Sequence, residues 1–314
     1  MAQGTVAKKG RMSKLEKRNT LIAYSFLAPN FIGFLVFTMI PVVFSVALSF
    51  MDWGGGQNIT FVGLENFRYI FHDFSFTKSN LGIALKNTVY YTIVTVPLTL
   101  GCALGLALLL NKGIRGAKVF RAVLFFPYVA SLVAICVCWN FLLMKNGPFS
   151  QLLSHVGLGF SKSWTSSREL AIWAIIVVSV WRNAGYYMVM YLAGLQGVPT
   201  ELYEAATMDG ANGWQQFRKI TMPMLTPTTF FCSIMMVIYC FKIYDVVAIM
   251  TQGGPGRSTK MLVTHIFELS FGGEGIATSA QYGVASAVSM VLLVIVLLVT
   301  FVQFRGEKKW VNYM

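Results

Sequence analysis

Long apolar runs that carry almost no charge restrict the fold of this chain more than any other feature. Six of them occur, at about 21–50, 85–110, 123–144, 170–195, 228–250 and 284–304. A helix of about 20 apolar residues crosses the hydrocarbon core of a bilayer. The composition agrees, because 56% of the residues are hydrophobic and 12% are charged, about half the charged share of a soluble domain. The sequence therefore predicts an all-α integral membrane protein with six transmembrane helices.

The prolines and the length of the first run add detail to this prediction. The first run is too long for a signal-peptide core and has no small-residue cleavage site, so we expect a retained span. Pro29 and Pro41 are expected to bend the first span and Pro127 the third, since proline removes a backbone donor from a helix. The fifth span is expected to be a single helix over about 228–250.

Basic residues are distributed unevenly among the polar segments. An N terminus inside the cell places fifteen of them on the cytoplasmic side and seven outside, as the positive-inside rule requires. The sequence thus predicts cytoplasmic N and C termini. It divides the chain into a basic cytoplasmic tail over 1–20, a six-span domain over 21–304 and a cytoplasmic C-terminal tail over 305–314.

The segment between spans four and five is a long polar insertion with helical signals. It predicts a short helix over 201–208, a turn at Asp209-Gly210 and a second helix over 214–220, with Pro223 and Pro227 marking its end and the entry to the next span. Three apolar residues share one face of the second helix: Trp214, Phe217 and Ile220. A helical hairpin with one apolar face either docks into a groove of another protein or lies on lipid headgroups.

The same segment carries an ordered motif. Its residues are Glu204, Ala205, Ala206, Asp209, Gly210, Phe217, Ile220 and Pro223. This pattern resembles the EAA loop of the membrane subunits of binding-protein-dependent ABC importers, with Met222 where leucine is usual. Two further stretches, 61–67 and 251–256, resemble the sugar-permease branch that includes the maltose and glycerol-3-phosphate permeases, and in particular its MalF/UgpA-like subunit. The resemblance runs from about Leu21 onward.

The resemblance implies the permease subunit of an ATP-driven importer for a sugar, polyol or oligosaccharide, in the cytoplasmic membrane of a bacterium or archaeon. It implies that cytoplasmic coupling helices over about 196–227 dock on a cytoplasmic ATPase dimer. There Glu204 would make a polar contact and Gly210 would permit the turn. A second homologous permease subunit would complete the translocation pathway, and an extracytoplasmic solute-binding protein would deliver the solute.

Nothing in the sequence points to nucleotide, metal or catalytic chemistry in this chain. No GxxxxGK[ST] phosphate loop occurs, so ATP and Mg are expected on the partner ATPase and no cofactor here. The five cysteines lie in apolar runs and the three histidines are scattered, which predicts no metal site and no enzyme active site. The net charge of +13 arises between apolar runs, so the lipid bilayer and not nucleic acid is the expected partner.

Polar residues inside the fourth span mark a predicted solute pathway. Arg182 lies near the middle, where an arginine costs about 2.5 to 3.5 kcal/mol, so it is expected to face the protein interior or a water-filled cavity. Ser179, Asn183 and Tyr186 lie on the same face at helical spacing. The resemblance implies that this face lines the solute site, with Tyr186 as an aromatic contact. The corresponding face of the fifth span carries Met236, Cys240 and Ile243, with Tyr239 nearby.

Several alternatives stay open at this point. Arg182 either contacts the solute or pairs with an acid, which is Asp245 or a residue of the second permease subunit. Tyr186 and Tyr239 either bind solute or pack between helices. Two other functions are a self-contained secondary transporter driven by an ion gradient and a structural or receptor membrane protein. The ion-coupled transporter requires intramembrane acids and repeated halves, whereas Asp245 is the only acid well inside a predicted span and no repeat is found.

Overall fold

The computed structural model describes residues 14–155, 163–272 and 280–310. The predicted tails over 1–20 and 305–314 therefore lie partly outside the described residues. Four helices of the described part are long and apolar enough to cross a membrane, and two bent helix pairs raise the number to as many as six. The prediction of a helical, multi-pass membrane protein is confirmed.

The first span is one long helix. It consists of α1 (Lys14–Phe34), a π-helical turn (Leu35–Met39) and α2 (Ile40–Leu48). Pro29 lies inside α1 and Pro41 in the first turn of α2. The wider π-helical turn precedes Pro41, which has no N–H to donate and would crowd the carbonyl one turn earlier in a regular helix.

A small sheet and a short helix follow the first span, and the all-α prediction did not include the sheet. Strand β1 (Met51–Asp52) pairs with β2 (Thr60–Phe61) in antiparallel orientation, and α3 (Glu65–Phe71) comes next. The buried Asn66 donates through Nδ2 to the carbonyl oxygens of Ser49 at 3.0 Å and Met51 at 2.8 Å. These bonds attach α3 to the end of the first span.

The second and fourth spans form the centre of the bundle. They are α4 (Asn80–Asn111) and α8 (Ala171–Gln196), and they share the most extensive helix pairing in the described part of the chain. Small and hydroxyl-bearing side chains on α4 allow the close approach, since they keep the interface thin. These buried residues are Thr88, Thr92, Thr95, Thr99, Ala103 and Ala107.

The third span is broken at a different place from the one predicted. Helices α5 (Ala117–Val129) and α6 (Leu132–Leu142) meet at 97°. The predicted bend at Pro127 is wrong in position, because α5 continues through the proline and the chain turns at Ala130 and Ser131. Both of these have extended ψ angles, 155° and 122°. On the far side of α6, α7 (Pro148–His155) is followed by a 3-10 turn at Trp164–Ser166.

The polar segment between α8 and the fifth span folds as a helical hairpin, as predicted. It contains α9 (Thr200–Met208), α10 (Gly213–Gln216), a π-helical turn (Phe217–Thr221) and α11 (Met222–Met224). The second arm continues past the predicted end at Ile220 to Met224, so Pro223 does not mark its end, whereas Pro227 lies in the first turn of the helix that follows and marks the entry to the fifth span, as predicted. Pro223 lies in the first turn of α11, directly after the π-helical turn, in a helical segment that runs without interruption from α10.

The fifth span is not the single helix that was predicted. Helix α12 (Thr226–Phe241) meets the preceding helix at 62° and ends at Phe241, and α13 (Asp245–Met250) begins after a short break. Tyr244 in the break has φ −140° and ψ −57°, which no helix adopts. Two helices complete the described chain: α14 (Leu262–Phe271), which was not predicted, and α15 (Tyr282–Trp310).

Candidate functional site

The helical hairpin between α8 and α12 is held in one shape by local hydrogen bonds. Gly210 has φ +76°, a left-handed conformation that glycine adopts without steric cost, so the predicted turn is confirmed. Asn212 and Gln215 form a reciprocal capping box at the start of α10, with N···O distances of 2.8 and 2.9 Å. Gln216 Nε2 donates to Thr207 Oγ1 at 3.0 Å, which joins the two arms of the hairpin.

The motif residues of this hairpin are distributed between its surface and its base. Glu204, Ala205, Asp209 and Gly210 are exposed, whereas the other four are half-buried: Ala206, Phe217, Ile220 and Pro223. Large apolar side chains stand beside the exposed motif residues. Met208 is 90% exposed and Trp214 is 67% exposed. Exposed apolar groups on a rigid hairpin, with carboxylates next to them, give a surface suited to docking another protein.

A second cluster lies where the third span breaks. The rings of Tyr128 on α5 and Tyr186 on α8 stack at 4.4 Å with an interplanar angle of 18°. The Arg182 guanidinium carbon lies 5.4 Å from the centre of the Tyr128 ring, within cation–π range. Arg182 also donates through one terminal nitrogen to the Tyr128 carbonyl oxygen at 3.4 Å. Tyr128 was not among the residues predicted from the sequence, although an aromatic residue directly after Pro127 was a signal available in the chain.

Arg182 has a different partner from the acid considered in the sequence analysis. The ion pairs found in the described part of the chain do not include Arg182, and Asp245 is exposed at the start of α13. Instead, the Tyr239 side chain interacts with both Arg182 and Asn183. The Arg182 guanidinium thus lies against the Tyr128 ring and the Tyr239 phenol group, and the half-buried Tyr186 stacks on Tyr128.

The remaining predicted pathway residues lie in the packed interior. Ser179, Asn183, Met236, Cys240 and Ile243 are each at most 3% exposed. They were expected to face a cavity, but α12 packs this side against α4 and α8. Asn183 Nδ2 donates to the Ser179 carbonyl oxygen at 2.8 Å within α8. The structure thus places Arg182, Tyr186 and Tyr239 together with Tyr128, and the other five in the core beside them.

Metal ligands are not grouped in this structure: within the described residues, no three His, Cys, Asp or Glu side chains come together in a way that suits a metal ion. The two candidate sites are instead a rigid surface hairpin and, inside the bundle of spans, a cluster of one arginine and three tyrosines. Such an arrangement is that of a multi-pass membrane transport protein.

The comparison with known families names this class. Residues 98–310 match the family model described as binding-protein-dependent transport system inner membrane component. The chain belongs to this family, whose members are permease subunits of ABC transporters, and the resemblance read from the hairpin motif is confirmed. As a permease subunit, it is not itself an enzyme.

Relatives cover nearly the whole chain. The probable ABC transporter permease protein YesP of Bacillus subtilis is 35% identical and spans 96% of both chains. The lactose transport system permease protein LacF of Rhizobium radiobacter is 32% identical over 95% of this chain and 97% of LacF. The crystal structure of a bacterial alginate ABC transporter, in complex with alginate pentasaccharide-bound periplasmic protein, shares the fold. Its matching chain has a TM-score of 0.78 at 22% identity and covers 96% of this chain and 98% of that one.

Proposed function

We propose that this chain is the permease subunit of an ATP-driven importer for a sugar or a related polyol or oligosaccharide. It crosses the cytoplasmic membrane six times, keeps both termini in the cytoplasm and forms half of the translocation pathway. A second homologous permease subunit forms the other half. The rigid hairpin over 200–224 is the observation that carries this proposal, because its exposed apolar side chains with carboxylates beside them suit contact with a partner protein.

The hairpin docks on a cytoplasmic ATPase dimer that binds ATP and Mg. Met208 and Trp214 supply exposed apolar area at the tip, and Glu204 supplies charge beside them. The hydrogen bonds of Gln216 and of the capping box make the hairpin rigid. A rigid element passes the closing motion of the ATPase pair to the spans, as rigid-body alternating access requires.

The solute passes beside the cluster of Arg182, Tyr128, Tyr186 and Tyr239. Aromatic faces stack on the C–H faces of sugars, and the guanidinium and phenol groups donate to hydroxyl oxygens. The name of LacF supports a sugar, and so does the alginate pentasaccharide bound to the periplasmic protein in the complex that contains the matching transporter chain. An extracytoplasmic solute-binding protein delivers the solute to this pathway.

Co-purification from mild detergent tests the assembly. The chain is expected to carry a second permease subunit and a stoichiometric ATPase, and proteoliposomes of this complex with the binding protein are expected to accumulate labelled lactose or maltose only with ATP. Uptake driven by an ion gradient in the absence of the ATPase would replace this proposal with the secondary-transporter alternative.

Cysteine labelling tests the topology. Arg218→Cys on the hairpin is expected to resist an impermeant maleimide in intact cells, whereas Asn58→Cys between the first two spans is expected to react, because both positions are exposed. Reaction of Arg218→Cys from outside would place the hairpin on the wrong side of the membrane for an ATPase.

Arg182→Met tests the pathway. Arg182 has no acid partner among the described residues, so its loss strands no buried charge and the complex is expected to assemble in normal amounts. Uptake is expected to fall about tenfold or more, as the loss of a charged hydrogen bond of about 1.5 to 3 kcal/mol implies. Normal assembly with normal uptake would remove Arg182 from the pathway.

A further inference from the structure

A cavity of about 570 Å³ lies between the loop over 251–261 and helix α14, apart from the cluster around Arg182. This volume is in the range of small-molecule sites. The predicted topology places it on the outer side of the membrane. Its walls combine two aromatic rings, three charged side chains and the backbone of a glycine-rich turn. The polar and aromatic side chains of these walls include Gln252, Arg257, Lys260, Phe267, Glu268 and Tyr244.

A buried ion pair forms one wall of the cavity. Lys260 Nζ lies 2.7 Å from Glu268 Oε2, and the two side chains are only 5% and 15% exposed. His265 Nδ1 is 3.9 Å from the same carboxylate oxygen. Removing two charges from water is costly, so their presence in a cavity wall calls for a reason. Lysine has three donors and a carboxylate about four acceptor positions, so the pair keeps capacity for ligand hydroxyl groups.

Aromatic rings form the neighbouring wall. The rings of Tyr244 and Phe267 lie 5.0 Å apart with an interplanar angle of 39°, and Phe267 is 42% exposed. An apolar ring face beside hydrogen-bonding groups suits a ligand that has both C–H faces and hydroxyl groups. Tyr244 lines the cavity because it lies in the break between α12 and α13, where its backbone is not helical.

Hydrogen bonds to the second span hold the loop in place. Asn87 Nδ2 donates to the carbonyl oxygens of Arg257 at 3.1 Å and Lys260 at 3.0 Å. The Leu262 amide donates to Thr88 Oγ1 at 3.0 Å. The cavity wall is thus formed before any ligand arrives, which lowers the entropy lost on binding.

We infer that this cavity is an outer binding subsite for a carbohydrate ring, separate from the cluster around Arg182. Phe267 and Tyr244 stack on the ring, and Lys260, Glu268 and Gln252 bond its hydroxyl groups. Arg257 lies at the exposed rim, where its Nη1 donates to Asn80 Oδ1 at 3.1 Å and to the Lys78 carbonyl oxygen at 3.3 Å, and its other N–H groups donate to a carboxylate when the sugar is acidic. This subsite rests on the proposed function, since it receives the solute before the solute enters the pathway.

Protection from labelling tests the subsite in the whole transporter complex in nanodiscs, without the solute-binding protein. The chain carries Ala248→Cys in the cavity wall, or Asn58→Cys outside it as the matched control, with the exposed Cys102 and Cys138 replaced by alanine. An impermeant maleimide is added with lactose, maltose or digalacturonate. At least one sugar is expected to slow Ala248→Cys labelling by about tenfold at about ten times its Kd, and none is expected to slow Asn58→Cys labelling.

Phe267→Leu, which keeps apolar volume but removes the ring, is expected to weaken this protection severalfold. Protection by none of the three sugars would overturn the subsite, and so would protection that appears only when the sugar-free binding protein is added. ATP-driven uptake of the same sugars separates the two proposals. Uptake without protection rejects the subsite and leaves the importer, whereas protection without uptake supports the subsite and rejects the importer.

Discussion

The carbonyl oxygen of Leu124 on α5 lies directly against Gly185 on α8, so that a Cβ on Gly185 would overlap it. This contact brings the backbones of the third and fourth spans together beside Tyr128 and Tyr186. The absence of a side chain at this position is what permits the stacked tyrosine pair.

Gly185→Ala is therefore expected to separate α5 from α8. Overpacking of this kind costs about 1 to 3 kcal/mol, and thermal inactivation at a fixed heating rate measures it as a lower inactivation temperature. Gly101→Ala is the matched control, because an added Cβ there meets nothing within 4 Å. An equal drop for both variants would show that the Leu124 contact has no special role.

Gly210 and Gly213 form a second matched pair, in the hairpin. Neither has neighbours near an added Cβ, but only Gly210 has a positive φ. Gly210→Ala is expected to cost about 1 to 2 kcal/mol of backbone strain, whereas Gly213→Ala in α10 is expected to be neutral or slightly stabilising. The measurement is the amount of ATPase subunit that stays bound to the purified permease after heating. Retention in Gly210→Ala that equals or exceeds retention in Gly213→Ala would contradict the role of the turn.

The proposed docking of the hairpin on an ATPase predicts that Glu204→Lys weakens this contact. A like-charge contact at an interface costs several kcal/mol, so sugar-stimulated ATP hydrolysis is expected to fall at least about tenfold while the membrane level of the chain is unchanged. Glu201→Lys reverses the same charge one turn earlier on α9, outside the motif, and both side chains are exposed. Full activity in Glu204→Lys would assign the docking to other residues.

The Lys260–Glu268 pair gives a pH dependence. Burial alone would raise the pKa of the Glu268 carboxyl, but the His265 ring and the Lys260 ammonium beside it outweigh burial and lower the pKa. The stabilisation is therefore complete above the ordinary glutamate pKa of about 4.3 and is lost as the pH falls below it. The difference in inactivation temperature between wild type and Glu268→Gln is expected to shrink in that range. A difference in inactivation temperature that grows on acidification would contradict a lowered pKa of the Glu268 carboxyl.

Lys260→Met tests the same pair at neutral pH. It leaves the Glu268 carboxylate buried without its main partner, and the expected loss is on the order of 3 kcal/mol. The double variant Lys260→Met/Glu268→Leu removes both charges and is expected to recover most of the loss. A double variant no more stable than the single one would show that packing, and not charge, sets the effect.

The spans were predictable because length and hydropathy alone decide whether a helix can cross a bilayer. Their breaks were not. The break at Lys242–Tyr244 contains neither glycine nor proline, so no local signal marks it and tertiary packing sets the backbone there. Pro127 correctly predicted a break in the third span, but the helix continues through the proline and the chain turns three residues later, at Ala130.

The hairpin turn could be predicted from the sequence, whereas the contacts of the arginine cluster could not. The Asp209-Gly210 turn depends on the φ preference of one residue, so the sequence alone was sufficient. The contact between Arg182 and Tyr128 joins residues 54 positions apart, and helical periodicity within one span says nothing about which neighbour it faces. Burial of Met236 on α12 was missed for that reason.

The first helix contacts the rest of the chain chiefly through α2, which packs on α15. Only 6% of its most apolar stretch is buried, and Phe26 and Phe37 are 80% and 81% exposed. A helix that packs on the rest of the chain at only one end is not held at a fixed tilt by those contacts. We expect the thickness of the surrounding lipid and the packing of neighbouring helices to set that angle, so membranes of different composition are expected to change the tilt of this helix without changing the core of the protein.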